Sequence, residues 1–111
     1  MNATVLAARA HDFRESENWA GAARCYEEIL DTPLPDLDRA KILANLMQMY
    51  DKLEDKQKAL NAGLEALGLV ANMYADSSEV LHLRGYVSGY VSRLQGRAAP
   101  SWTDTGAARG L

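Results

Sequence analysis

The sequence contains a single cysteine, Cys25, among its 111 residues. Because there is no second thiol, the chain cannot form an internal disulfide, and its stability does not require an oxidising compartment. Cys25 lies beside Tyr26 in an apolar helical stripe. This position favours an inert, semi-buried thiol over a reactive one.

Long apolar runs are also missing. No segment approaches the ~18 uninterrupted apolar residues that a membrane-spanning helix needs. The first dozen residues include Arg9, His11 and Asp12 and lack the apolar core of a signal peptide. We therefore expect a cytoplasmic protein that does not span a membrane.

The chain has no excess of positive charge. Twelve Lys and Arg residues are interleaved with fifteen Asp and Glu residues, for a formal net charge of −3. Proteins that bind phosphate backbones or anionic lipids usually carry a basic patch. Neither nucleic acid nor a membrane surface is expected as a partner.

The residue types needed for catalysis are few and scattered. The two histidines, His11 and His82, are far apart in the chain, and neither has a second metal ligand at helical spacing. Gly85 and Gly89 fall within a helical stripe and do not follow a strand, so they do not predict a phosphate-binding loop. We expect no catalytic residues, no metal and no cofactor, and a chain that is not an enzyme.

The sequence does contain a register, a pattern of apolar residues that recurs after 37 residues. The length of the chain and its apolar fraction of 48% predict a single domain. The matching pairs are Ala10 and Met47, Phe13 and Tyr50, Ala22 and Ala59, and Leu30 and Leu67. A repeat of this length is typical of stacked helical hairpins, which usually act by presenting a surface.

Apolar residues at helical spacing predict an all-α chain of five helices. Their approximate ranges are 3–16, 19–30, 37–52, 56–74 and 77–95. The helical domain then covers 1–95, with hairpins at about 3–31 and 37–74 and a capping helix at about 77–95. Residues 96–111 are expected to form a flexible tail, whose Trp102 either folds back or stays solvated.

Local signals predict how these helices begin and pack. Asp36 or Asp38 is expected to cap the third helix, and Asp76 with Glu79 is typical of a capping box that opens the fifth. Gly63, inside the fourth helix, is interpreted as a packing position where a neighbouring helix comes close.

Both copies of the register resemble a tetratricopeptide repeat over roughly residues 3–74. The first copy carries Leu6, Ala10, Phe13, Trp19, Ala22, Tyr26 and Pro33, and the second carries Asn45, Leu46, Tyr50, Ala59, Ala66 and Leu67. Met47, Gly63 and Arg9 depart from the family pattern. The resemblance implies a right-handed superhelical stack of antiparallel helix hairpins.

The resemblance also implies a concave groove lined by the first helix of each repeat. Its candidate residues are His11, Arg14, Lys41, Asn45, Gln48 and Lys52, together with Ala7. Their net positive charge would favour an extended partner peptide with carboxylate groups. The alternative is that these side chains are only the hydrated side of two helices. A clamp for chaperone C-termini is not supported, since only Asn45 matches it.

The fifth helix differs from the others because its apolar residues spread over more than one face. It is expected either to pack on the fourth helix as a cap or, in addition, to contact a second protomer. The candidate residues for self-association are Tyr86, Val87, Tyr90 and Val91. Two function classes follow: a non-catalytic adaptor that binds a partner peptide or helix in its groove, and a self-assembling, homodimeric structural subunit.

Overall fold

The computed structural model describes residues 2–73 and 77–98. This part of the chain is all-helical, with no strand, and its five helices confirm the predicted class. They are α1 (Ala3–Glu15), α2 (Trp19–Leu30), α3 (Asp36–Lys52), α4 (Lys56–Ala71) and α5 (Ser78–Ala98).

Two predicted boundaries change. The fourth helix ends at Ala71, short of the predicted position 74, which itself lies outside the described residues. The fifth helix continues to Ala98, so the tail cannot begin at Gly96 as predicted. Trp102 and the rest of 99–111 lie outside the described residues.

The helices pack in chain order, and α3 occupies the centre. Each helix contacts the next one along the chain, and α3 also touches α5. The buried side chains of α3 cover a wide arc because this helix meets α2, α4 and α5. They are Ala40, Leu43, Ala44, Leu46, Met47 and Met49.

The register of 37 residues extends to the backbone of the turns inside each hairpin. Glu17 and Glu54 both adopt the left-handed conformation, with φ of 60° and 61°. In each turn the following residue donates its N–H back to the helix, from Asn18 to the carbonyl of Phe13 at 2.7 Å and from Asp55 to that of Tyr50 at 2.9 Å. These are the bonds of a Schellman motif, here built without glycine.

The residue that follows each left-handed glutamate caps the next helix. The Oδ1 atom of Asn18 accepts from the N–H of Gly21 at 2.9 Å, and Oδ1 of Asp55 accepts from the N–H of Lys58 at 3.1 Å. Each side chain satisfies one of the helix N–H groups that have no partner within the helix. The same turn is therefore used twice.

The predicted cap of α3 needs correction, whereas the predicted capping box of α5 is only partly described. Pro35 occupies the N-cap of α3, and Asp36 and Asp38 lie in its first turn, where carboxylates favour the helix dipole without capping. At α5, Ser77 accepts a hydrogen bond from the N–H of Val80 at 3.3 Å. Asp76 of the predicted capping box lies outside the described residues.

Each hairpin is connected to the helix that follows it by one arginine of that helix. Arg39 of α3 donates to the carbonyls of Leu30 and Thr32 at the end of α2, at 3.2 and 3.3 Å. Arg84 of α5 donates to the carbonyl of Val70 in α4 at 2.8 Å. A cation at a helix C-terminus is favourable because the carbonyls there carry partial negative charge. Neither arginine was predicted in this role.

Gly63 is a packing position, as predicted. A Cβ atom built there would lie 2.6 Å from Val91 Cγ2 and 2.8 Å from Met47 Sδ. The missing side chain therefore lets α4 fit between α3 and α5. This close approach fixes the position of α5 on the hairpin stack.

Replacing Glu54 with glycine should stabilise the fold, because glycine adopts a positive φ without the clash that an L side chain meets. We expect Glu54→Gly to raise the free energy of unfolding by about 1 kcal/mol. Urea denaturation followed by circular dichroism would measure this. Glu54→Ala is the control, since alanine keeps the Cβ atom and should give no gain. Equal stability of the two variants would contradict a strained turn.

Candidate functional site

Helices α1, α3 and α5 present one continuous face, which we call the odd-helix face. Its members are linked by side chains: Arg14 of α1 contacts Gln48 of α3, and Gln48 donates to the hydroxyl of Tyr86 in α5. Lys41 and Glu79 form an ion pair between α3 and α5. The two contacts between α3 and α5 are seven residues apart on both helices, so these helices run in the same direction, and the Arg14 side chain links α1 to them.

Arg14 is the cation at the α1 end of the odd-helix face. Its guanidinium is half-buried and donates to the hydroxyl of Tyr26 and to Oε1 of Gln48, both at 3.3 Å. Both acceptors are neutral. Among the described residues, the ion pair joins Lys41 to Glu79. The guanidinium of Arg14 therefore has no carboxylate partner within the part of the chain that the structure describes.

The other predicted groove residues are spread along α1 and α3 and do not form one cluster. Lys41 is neutralised by Glu79, and the ammonium of Lys52 lies 5.4 Å from the ring centre of Trp19. These two lysines are separated by about 16 Å along α3 at 1.5 Å per residue. His11 is exposed on α1, and Asn45 is half-buried on α3. The structure thus brings Arg14 and Gln48 together but spreads the predicted lysines.

An apolar hollow opens beside the N-terminal ends of α1 and α3. It encloses about 270 Å³ and reaches both Ala7 and Lys41, two of the predicted groove positions. Its apolar lining comes from Ala3, Ala7, Ile29, Leu34 and Ile42. The hollow can accept an apolar side chain near the polar row that starts at Arg14.

A second and larger cavity lies between α2 and α4, with α3 as its floor. We call it the α2–α4 groove, and its volume is about 390 Å³. Its apolar surface consists of Leu30, Leu43, Leu46, Tyr50 and Ala62. This groove was not predicted, because the sequence pattern indicated a groove only along the first helix of each hairpin.

The rim of the α2–α4 groove is polar and mostly acidic. It is formed by Glu27, Asp31, Lys58, Asn61 and Glu65. Tyr50 donates a hydrogen bond of 2.5 Å to Glu27, and the ammonium of Lys58 lies 5.6 Å from the centre of the Tyr50 ring. Three carboxylates against one ammonium give this groove the opposite charge to Arg14.

The environment of Tyr50 shows the effect of these carboxylates. Burial raises the pKa of the phenol, and the hydrogen bond to Glu27 and the negative charges of Glu27 and Asp55 raise it further. All three causes disfavour the phenolate, because it would be poorly solvated and close to like charge.

The residues predicted for self-association divide into two groups. Val87 and Val91 are buried in the core, at 0% and 4% exposure, so they are corrected from surface candidates to packing residues. Tyr86 remains at the surface, while Tyr90 is half-buried and donates to Asp51 at 2.6 Å. The rings of Tyr86 and Tyr90 pack edge to face, with their centres 5.9 Å apart. Both tyrosines thus join α5 to α3.

A strip of small residues on α5 faces outward. Gly85 and Gly89 have no heavy atom within 4 Å of a built Cβ, and Ser88 and Ser92 are exposed. The nearby Leu81 is 50% exposed. The packing on α4 uses the opposite side of the helix, where Val87 and Val91 lie.

The described residues offer little for redox or metal chemistry. Cys25 is buried, and burial raises the pKa of its thiol, so the nucleophilic thiolate is disfavoured. Across 2–73 and 77–98 no cluster of His, Cys, Asp and Glu is arranged to hold a metal ion. Over the same ranges no helix has the length and apolar character to cross a bilayer.

Comparisons of the chain with protein-family models, with curated proteins and with solved structures returned no match.

The raised pKa of Tyr50 predicts a loss of stability at alkaline pH. An unfolded tyrosine ionises near pH 10, whereas folded Tyr50 holds its proton to higher pH, so its contribution is complete below about pH 10 and is lost above it. Urea denaturation at several pH values should show a shallower alkaline decline for Tyr50→Phe than for the unchanged chain. Glu27→Gln, which removes one charge, should be intermediate. Parallel pH profiles for the unchanged chain and Tyr50→Phe would contradict this account.

Proposed function

We propose that this chain is a non-catalytic protein-interaction module that binds an acidic segment of a partner on the odd-helix face. The observation that carries this proposal is the half-buried guanidinium of Arg14, whose hydrogen-bond acceptors are neutral. A carboxylate at this point would form charge-assisted hydrogen bonds, which are stronger than bonds between neutral groups.

The surroundings of Arg14 support a peptide as the ligand. Ala7 lines the apolar hollow and lies two helical turns before Arg14 on α1. A partner segment that runs along α1 and α3 could therefore place an apolar side chain in the hollow and a carboxylate at Arg14. Such pairing of one apolar anchor with one oriented polar contact is common in peptide recognition.

We further propose that the hairpins form a right-handed superhelical stack of the tetratricopeptide kind, with the odd-helix face on its concave side. The repeated Schellman turns at Glu17 and Glu54 support this arrangement, because they give both hairpins the same local geometry. The single reduced thiol of Cys25 is compatible with a cytoplasmic location, which we propose on that ground.

A homodimeric structural subunit is the second candidate. It is favoured by the outward face of α5, where Leu81 is 50% exposed beside the unencumbered Gly85. A second copy of α5 could approach this surface closely.

Selection of binders from a random peptide library would test the adaptor. We expect selected peptides to be enriched in Asp and Glu, and Arg14→Gln to weaken their binding about tenfold, the effect of losing one charge-assisted contact worth about 1.4 kcal/mol. Arg24→Gln is the matched control, because Arg24 is an exposed arginine on α2 and outside this face. Equal binding by both variants, or peptides without acidic residues, would contradict the proposal.

Light scattering coupled to size-exclusion chromatography would test the dimer. If α5 forms the interface, the chain should elute as a dimer and Leu81→Glu should convert it to a monomer, because a carboxylate at an apolar interface is strongly disfavoured. Leu64→Glu, at a similarly exposed leucine on α4, is the control. A monomer at all concentrations would exclude this candidate.

A further inference from the structure

We infer that the α2–α4 groove is a second binding surface, separate from the odd-helix face, and that it takes a basic amphipathic peptide segment of a partner protein. In this arrangement a large apolar side chain lies on the floor of the groove and a Lys or Arg side chain reaches the carboxylates of its rim.

The shape of the groove follows from the central position of α3. Helices α2 and α4 pack on the same helix, so an open channel is left above Leu43 and Leu46. These leucines are 3% and 2% exposed, whereas Leu30 and Tyr50 at the walls are half-buried and retain accessible apolar surface. A volume of about 390 Å³ lies within the range of typical ligand pockets, about 300–1,000 Å³.

Charge complementarity identifies the occupant. Tyr50 engages Glu27 and Lys58 at one part of the rim, whereas Asp31 and Glu65 form no ion pair with a described residue. An ammonium or guanidinium group placed between these two carboxylates would gain charge-assisted hydrogen bonds.

The end of α2, beside Asp31, already binds a cation of the chain itself. The C-terminal carbonyls of a helix carry partial negative charge, and Asp31 lies at the C-cap of α2. The chain itself already places a guanidinium here, since Arg39 donates to the carbonyls of Leu30 and Thr32 and not to the rim carboxylates. The rim charges therefore remain available to a partner.

The same charges disfavour other classes of ligand. Phosphates of nucleic acids and of anionic lipids would be repelled by three carboxylates around one ammonium. The apolar floor requires an apolar side chain next to the basic one. A peptide in which leucine and lysine share one face satisfies both requirements.

Titration of the ¹⁵N-labelled 111-residue chain with such a leucine–lysine peptide would test the inference by nuclear magnetic resonance. We expect shifts of the amides of Leu30, Asn61 and Glu65, with those of His11 and Gln48 unchanged. Asp31→Asn with Glu65→Gln should weaken binding about tenfold, from the loss of contacts to charged groups. Asp12→Asn with Glu15→Gln on α1 changes the net charge equally and should leave binding unchanged.

A steric pair of variants tests the location independently of charge. Asn61→Trp should block the groove, whereas Gln57→Trp should not, because Gln57 lies one turn earlier on α4 and outside the lining. Both variants lose the same exposed hydrogen bond between Gln57 and Asn61, so they are matched in that respect. Circular dichroism of each variant establishes that it is folded.

Four results would overturn the inference. The first is equal binding of a leucine–glutamate peptide, and the second is a set of shifts confined to the odd-helix face. The third is a concentration dependence of the groove amides without peptide, which would place a second copy there. The fourth is Overhauser contacts between the groove and residues 99–111 in the free chain, which would place the chain's own tail there. An unchanged affinity in Arg14→Gln separates this site from the one proposed on the odd-helix face.

Discussion

The burial of α3 on several sides is the constraint on which the other contacts depend. Leu43 and Leu46 form the floor between α2 and α4, while Met47 lies against Gly63 of α4. Apolar side chains on such a wide arc bury enough surface to hold the neighbouring helices in place. The polar side chains of α3 bind α5. Lys41 and Gln48 contact Glu79 and Tyr86, and Asp51 accepts a hydrogen bond from Tyr90. One helix thus determines both the core and the polar row.

This central helix separates two surfaces of opposite charge. The odd-helix face has the guanidinium of Arg14, whose hydrogen-bond acceptors are neutral, at its α1 end, and the α2–α4 groove has Glu27, Asp31 and Glu65 around an apolar floor. A chain with a formal net charge of only −3 can therefore present a local cation and a local anionic site. Local charge, and not net charge, governs which segments are attracted to each surface.

Patterns that repeat along the chain predicted much of the fold. The pairs spaced by 37 residues have matching burial, with Ala22 and Ala59 both at 0% exposure. Gly63 also has the packing role predicted for it. The left-handed turns at Glu17 and Glu54 were not foreseen because neither position holds glycine. Arg39 and Arg84 were missed for a different reason, since capping the end of another helix is not visible in local sequence.

The candidate sites were less predictable than the helices. Val87 and Val91 looked like equal candidates for an interface because apolar residues surround much of α5, but packing on α4 buries both. The row from Arg14 through Gln48 to Tyr86 required three helices to align, and the α2–α4 groove required two helices to be held apart by a third. Neither arrangement produces a recognisable pattern in the sequence of any one helix.

The sequence by itself determined that the described part of the chain is helical, where its five helices lie to within a few residues, and that one register of 37 residues recurs in both hairpins. These properties follow from periodicity and turn chemistry, which act between residues close together in the chain. Only the tertiary structure decided which side of α5 is buried, which lysine is neutralised and where a cavity remains. Those properties depend on the distance between helices, which is set when buried side chains from different segments meet.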